Sequence, residues 1–347
     1  MVERINTQNK VSQASAYQNL KYYSAVAAGE AEGTAAQTQE ILRKYDKMLA
    51  DRNHIVSGLV MLSHEADAYA FFSEWNSWIP KNEEPALTVI RAGLSGGAMV
   101  SIALNEATTG GINRTRLNDG TGMMVRFGGV VYFSGRSIDG GRNTLCEQSR
   151  EVMRTYDNIL AVNNLRKENL LNGNIFVQDI TMQNEYENVW IGWSHIGHKP
   201  SGTMVEGRPV NKRHQLELGL TFADSDKVLT ILRKNPGHNC CRFVTYNGIS
   251  YFTGNVCHDP DAEGLYEHSK KVFAQLEAQI NENGMKKEDI IVCNAYIKDI
   301  DAQEAFEKAW DEWVSEGNEP ARTICGTRLL SDRYEIEFTI TVACKQK

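Results

Sequence analysis

The sequence predicts an α+β fold made of three tandem copies of one module, each reading β-β-α-β-α-β-β. Two observations carry this. All six tryptophans fall into one spaced motif: W-x-x-W, six residues, Pro, two residues, Thr. It is written three times, as Trp75/Trp78/Pro85/Thr88, Trp190/Trp193/Pro200/Thr203 and Trp310/Trp313/Pro320/Thr323. Around each copy the same order of apolar periodicities returns, short strand-like runs alternating with helical stripes. The 347 residues divide accordingly into segments 1–108, 109–226 and 227–347, each long enough for a core of its own.

Each module opens on a hairpin. Val130-Val-Tyr-Phe-Ser-Gly135 and Ile249-Ser-Tyr-Phe-Thr-Gly254 are β-branched and aromatic runs preceded by Gly-Gly or Asn-Gly, a turn followed by a strand. Lys21-Tyr-Tyr-Ser-Ala25 is the first copy's version. A Gly/Asp-rich loop follows, at 29–33, 139–141 and 259–264. Next comes an amphipathic helix: Leu265, Val272, Phe273, Leu276 and Ile280 recur at helical spacing, as do Leu145, Val152, Met153, Tyr156 and Leu160. Gly284 is placed to cap its helix.

A strand is read next at His54–Met61, Asn174–Gln178 and Ile290–Ile297. The second helix carries the Trp pair. Phe306, Ala309, Trp310 and Trp313 share one face, which reads as core packing against a sheet rather than as a cofactor box. The Pro leads out of the helix. In the last strand Ile336, Phe338, Ile340 and Val342 alternate with Glu335, Glu337, Thr339 and Thr341.

Bulk composition excludes several classes of function. Net charge is −7, so there is no general basic footprint for nucleic acid. No apolar run approaches a membrane span, and the first residues lack the apolar core of a secretion signal. The seven cysteines lack zinc or CxxC spacing and read as free thiols, which places the chain in the cytoplasm. No metal and no cofactor is expected. Cys257, Cys325 and His258 form at most a weak nucleophile candidate, because nothing in their spacing fixes a geometry.

The third copy resembles the Rid (YjgF-type, endoribonuclease L-PSP) family of enamine/imine deaminases. The matching stretches are Tyr251-Phe-Thr-Gly254, Asn294-Ala-Tyr-Ile-Lys-Asp-Ile300, Pro320-Ala-Arg-Thr323 and Glu335-Ile-Glu337. The second copy matches in outline and the first weakly. The resemblance implies Rid/chorismate-mutase-like modules, which in that family trimerise around a central barrel-like core with sites in the clefts between subunits. Three fused modules would then form an intramolecular pseudo-trimer, working as a monomer on a small-molecule substrate. A physical argument agrees: each module leaves one sheet face uncovered, and sister modules on the same chain are present at high effective concentration to bury it.

The resemblance assigns Arg322 to the substrate carboxylate, a role that suits a guanidinium fork. The matched positions in the other copies are Leu87 and Gly202, so only the third carries a cation there. It assigns a last-strand glutamate to the attacking water. Glu335 and Glu337 are both candidates, and the Glu-Ile-Glu match favours Glu335. Thr253 and Gly254 would form one wall, and the backbone N–H of Ile324 would support the carboxylate. Glu307 stands where the family has Asn, and its charge would disfavour a simple carboxylate substrate if it faces the cleft. The implied activity is hydrolytic deamination of an enamine or imine to a 2-oxo acid and ammonia at one intermodule cleft. Two further readings stand beside it: a non-catalytic small-metabolite binder on the same scaffold, and a chorismatase-like hydrolase. Each assigned residue also has a plainer reading, Arg322 as an ion pair and the glutamates as solvated or salt-bridged strand residues.

Overall fold

The computed structural model describes residues 1–117, 122–138, 144–194 and 197–344. The Gly/Asp loop read at 139–141 lies outside the described residues. The first module contains β1 (Glu3–Gln8), β2 (Val11–Tyr17), β3 (Leu20–Tyr23), β4 (Val26–Ala27), α1 (Thr34–Met48), β5 (Ile55–Leu62), α2 (Ala68–Trp78), β6 (Ala86–Arg91) and β7 (Val100–Ala107). The second contains β8 (Asn113–Arg116), β9 (Met123–Phe127), β10 (Val130–Phe133), α3 (Leu145–Val162), β11 (Leu170–Val177), α4 (Gln183–Trp193), β12 (Ser201–Val205), β13 (Arg208–Pro209) and β14 (Leu216–Ala223). The third contains β15 (Leu232–Pro236), β16 (Cys241–Tyr246), β17 (Ile249–Phe252), β18 (Asn255–Val256), α5 (Gly264–Glu282), β19 (Ile290–Ile297), α6 (Gln303–Trp313), β20 (Ala321–Gly326) and β21 (Ile336–Ala343).

The three sheets share one strand order. It runs β1-β2-β3-β7-β5-β6, β8-β9-β10-β14-β11-β12 and β15-β16-β17-β21-β19-β20, and the first sheet is extended by β13 of the second module, antiparallel to β6. In each, the strand before the second helix pairs in parallel with the strand after it (β5–β6, β11–β12, β19–β20), as a crossover helix requires. Each module has one strand more at its start than the periodicity suggested: β1, β8 and β15 are short, polar and partly exposed, and give little apolar signal. Gly284 takes a left-handed φ of 73° just beyond α5, where a side chain would be strained.

Each module has a core between its helices and one sheet face. Trp75, Trp190 and Trp310 lie in these cores, packed on Phe71, Tyr186 and Phe306. The outer Trp of each pair is anchored alike: the indole N–H of Trp78, Trp193 and Trp313 donates to Asp46, Asp157 and Glu277 at 2.8–2.9 Å. Arg52, Lys167 and Lys287 cover those rings at 4.9, 5.1 and 5.6 Å.

The opposite sheet faces meet one another. Met61, Phe176 and Tyr296 join Ile90, Val205 and Cys325 in one shared cluster. Between the sheets lies a polar cavity of ≈ 180 Å³, with Thr88, Thr203, Thr323, Asn174 and Asn294 in its wall. The modules are linked in a ring by their opening hairpins. Arg4 donates to Glu288 O, Arg114 to Asn53 O and Ile55 O, and Arg233 to Lys199 O and Glu168 O, each reaching into a neighbouring module.

The expectation of a central barrel-like core is corrected here: none of the three sheets closes among the described residues. The reason is local. Where the edge strand of one module meets the next module's hairpin, a backbone N–H bonds to a side-chain hydroxyl, and the first sheet extends past its edge strand β6 only by the two-residue β13 of module 2. Leu87 N donates to Ser134 Oγ, Gly202 N to Thr253 Oγ1 and Arg322 N to Ser24 Oγ, at 3.1, 3.1 and 2.8 Å. No helix among the described residues is long and apolar enough to cross a membrane.

Candidate functional site

Those hydroxyl bonds define three equivalent clefts. In each, the residue before the motif Thr also accepts a bond through its carbonyl: Gly135 N donates to Leu87 O, Gly254 N to Gly202 O and Ala25 N to Arg322 O, at 3.1, 3.2 and 3.0 Å. The first cleft therefore joins Leu87 of module 1 to Ser134-Gly135 of module 2. The second joins Gly202 of module 2 to Thr253-Gly254 of module 3. The third joins Arg322 of module 3 to Ser24-Ala25 of module 1.

Glu337 lies in the second cleft. Register places it opposite Tyr296 on β19, on the face turned toward the sister modules. It is buried, and the Thr203 hydroxyl of module 2 donates to its Oε1. Burial pushes its carboxyl up to about 7, against the hydroxyl bond and a backbone bond from Met204. Glu217 is the matching carboxyl at the first cleft, bonded within its own module. It is buried, accepts from the Ser137 hydroxyl, and is pushed up to about 7 by burial against that bond and the nearby Arg136 charge.

Each carboxyl depends on a glycine. A Cβ built on Gly254 would overlap Glu337 Oε1, and one on Gly135 would overlap Glu217 Oε1. The third cleft has neither feature. Register matches Ser101 of module 1 to Glu337, and Ala25 stands where the others have glycine.

Arg322 sits in that third cleft and is turned the other way. It pairs with Cys293 in register and shares the helix-side face. Its guanidinium lies 4.7 Å from the Trp310 ring and 5.3 Å from Phe306. Nη2 donates to both oxygens of Glu307 at 2.8 Å. Burial lowers the Arg322 pKa, and Glu307 opposes that shift.

The structure thus brings Arg322 together with Glu307 and with neither last-strand glutamate. Glu335 precedes β21, is partly exposed, and pairs with Lys298 at 3.1 Å on the same module. Thr253 and Gly254 bond to Gly202 of module 2 and lie in a different cleft from Arg322. The Ile324 side chain packs on the helix-side core of module 3. His258 bonds to Tyr334 at 3.2 Å, while Cys257 and Cys325 lie in different cores. Burial pushes the Cys325 thiol up to about 12. The sequence reading missed Glu217 as a cleft residue, although the repeated Gly135/Glu217 and Gly254/Glu337 pairs were there to be matched.

A family model for Endoribonuclease L-PSP matches residues 122–222 and 234–344, more than half of the chain. The chain belongs to this family. A RutC family protein, YoaB of Escherichia coli K12, is 30% identical over 115 residues, covering 33% of this chain and 99% of that protein. A RutC family protein of Haemophilus ducreyi is 30% identical over 98 residues, covering 28% and 83%. Among solved structures, the YjgF-family protein NMB1025 of Neisseria meningitidis is 24% identical with a TM-score of 0.32, covering 34% of this chain and 98% of its own. A chorismatase structure is similar over 94% of this chain and 100% of its own, with a TM-score of 0.61 and 9% identity, a likeness of fold alone.

Two outcomes follow from this geometry. Gly254→Ala should destabilise the protein by about 1–3 kcal/mol through overpacking. Adding Glu337→Ser, which copies the Ala25/Ser101 pair and leaves only the Thr203 hydroxyl against the new Cβ, should restore part of that loss in chemical denaturation; equal destabilisation of the double variant would contradict the coupling. The second concerns pH. The Glu337 carboxyl rises on folding from 4.5 to about 7, so its proton favours the folded state. Its stabilisation is complete below pH 4.5 and lost as pH rises through about 7. Melting curves from pH 4 to 8 should show Glu337→Gln gaining on wild type as pH rises, by at most about 3 kcal/mol.

Proposed function

We propose that this chain binds a small polar metabolite in the cleft between modules 3 and 1, through Arg322, without catalysing generic imine hydrolysis. One observation carries this reading: Arg322 borders the module 3–module 1 cleft, with its guanidinium on the helix-side face against Glu307, whereas the buried carboxyls Glu217 and Glu337 border the other two clefts. Hydrolytic deamination needs an anchor and a water-activating carboxylate on one substrate, within hydrogen-bond reach of the reacting atoms. Binding needs the anchor alone. Family membership supports small-molecule handling in an intermodule cleft, and a net charge of −7 supports a partner other than nucleic acid. In this reading the three modules act as one monomeric pseudo-trimer, with no metal or cofactor.

A second reading is hydrolytic deamination with Arg322 as anchor and Glu335 or Glu337 activating water. What favours it is Glu337, whose carboxyl near 7 is matched to proton transfer at neutral pH. The chorismatase-like reading rests on the whole-length likeness of fold and has no residue of its own to support it.

The two main readings separate in one assay. Release of 2-oxo acid from freshly generated imino acids should run at the spontaneous rate with wild type, Arg322→Ala and Glu337→Gln alike. Meanwhile a thermal-shift screen of small metabolites should give hits that Arg322→Ala loses. Acceleration by wild type that Arg322→Ala abolishes would overturn the binding reading in favour of the deaminase.

A further inference from the structure

Arg322 is held in an unusual way for a guanidinium that is open to ligands. Both Glu307 oxygens converge on one nitrogen, Nη2, instead of engaging two nitrogens as a fork. Nη1 is buried and has no hydrogen-bond partner. The side chains differ in access: Arg322 is 9% exposed and Glu307 33%. The carboxylate therefore stands on the solvent side of the guanidinium. Glu307 is held from one turn earlier on α6 by the Gln303 amide at 2.9 Å. The positive charge is fixed from below by Trp310 and Phe306.

Glu307 is not required to build the module. The positions three residues before the first Trp of each pair are Phe72, Glu187 and Glu307, and α2 forms with an aromatic residue there. Opposite these stand Leu87, Gly202 and Arg322. Only the third combination places a carboxylate on a guanidinium, so the ion pair belongs to this cleft and not to the fold. An incoming carboxylate would meet a like charge, and would find Nη2 already occupied.

We propose that Glu307 is the specificity-determining residue of the module 3–module 1 cleft, occupying the solvent-facing edge of Arg322 and so excluding small carboxylates. The proposal rests on the reading of Arg322 as a ligand-binding residue. Glu307→Gln removes the charge while keeping the side-chain length and a polar end for Gln303. With the competing charge removed, the guanidinium donates from Nη1 and Nη2 to an external carboxylate, which displaces the neutral amide oxygen and supplies the acceptor that Nη1 lacks.

Pyruvate is the probe, titrated into the full chain and followed by NMR or calorimetry. Glu307→Gln should bind it at least about tenfold more tightly than wild type, since like-charge juxtaposition and an occupied donor both oppose the wild-type complex. Glu307→Gln with Arg322→Ala should lose that gain. Glu307→Ser serves as an independent variant, with melting curves confirming that each protein is folded. Equal affinity of wild type and Glu307→Gln, abolished by Arg322→Ala, would overturn the role of Glu307 and leave Arg322 as a binding residue. Binding that ignores Arg322→Ala, or none in either Glu307 variant, would overturn the reading of Arg322 itself.

Discussion

A side-chain hydroxyl bonding to an edge-strand N–H, repeated at Ser134, Thr253 and Ser24, sets the arrangement of the whole chain. Each bond is a modest contribution, about 0.5–1.5 kcal/mol net. Its consequence is geometric. It ties one module's edge strand to the next module's hairpin, and so fixes which side chains share a cleft. The carbonyl bonds that accompany it make the contact two-point, leaving little freedom for the edge strand to slide. The opening hairpins, with Arg4, Arg114 and Arg233 reaching across, and the shared apolar cluster around Phe176 and Tyr296 then close the ring around this pattern.

Within that frame the three clefts have diverged by matched sets of residues. Two pair a glycine with a buried glutamate, and the third pairs alanine with serine. The reason is volume: a carboxyl and a Cβ cannot occupy the same space, so the two positions change together. Arg322 stands at the cleft that lacks a buried last-strand carboxyl and carries its own carboxylate on Glu307, while the buried Arg136 lies near Glu217 in the first cleft. A buried charge needs a partner, and Arg322 has one within its own module. Groups that the family resemblance assigns to one reaction are thereby distributed over separate sites.

Much of the fold could be read from the sequence because it rests on local periodicity. The Trp motif located all three second helices, and the alternation from Ile336 to Val342 located the last strand. The short polar strands β1, β8 and β15 were not legible, since they carry no apolar pattern to detect. The site was legible only as residue types. Glu335 and Glu337 share a parity, and no pattern distinguishes a residue just before the strand from one inside it. The cleft partner of Arg322 depends on the cyclic order of the modules, which one copy of the motif does not encode. That Glu307 sits on α6 was clear, but its contact with Arg322 follows from the packing of α6 over β20. The paired glycines were visible, and their meaning emerged only once the register was known.

The separation of Arg322 from Glu337 is the central claim, and pairwise coupling energies in stability test it most directly. Double-mutant cycles in chemical denaturation would compare Thr203→Ala/Glu337→Gln with Arg322→Ala/Glu337→Gln. The account predicts coupling of about 0.5–3 kcal/mol for the first pair, whose members touch across the module 2–module 3 cleft, and additivity within about 0.5 kcal/mol for the second. Strong coupling between Arg322 and Glu337 with none between Thr203 and Glu337 would contradict it, because the guanidinium and the carboxyl would then share one site.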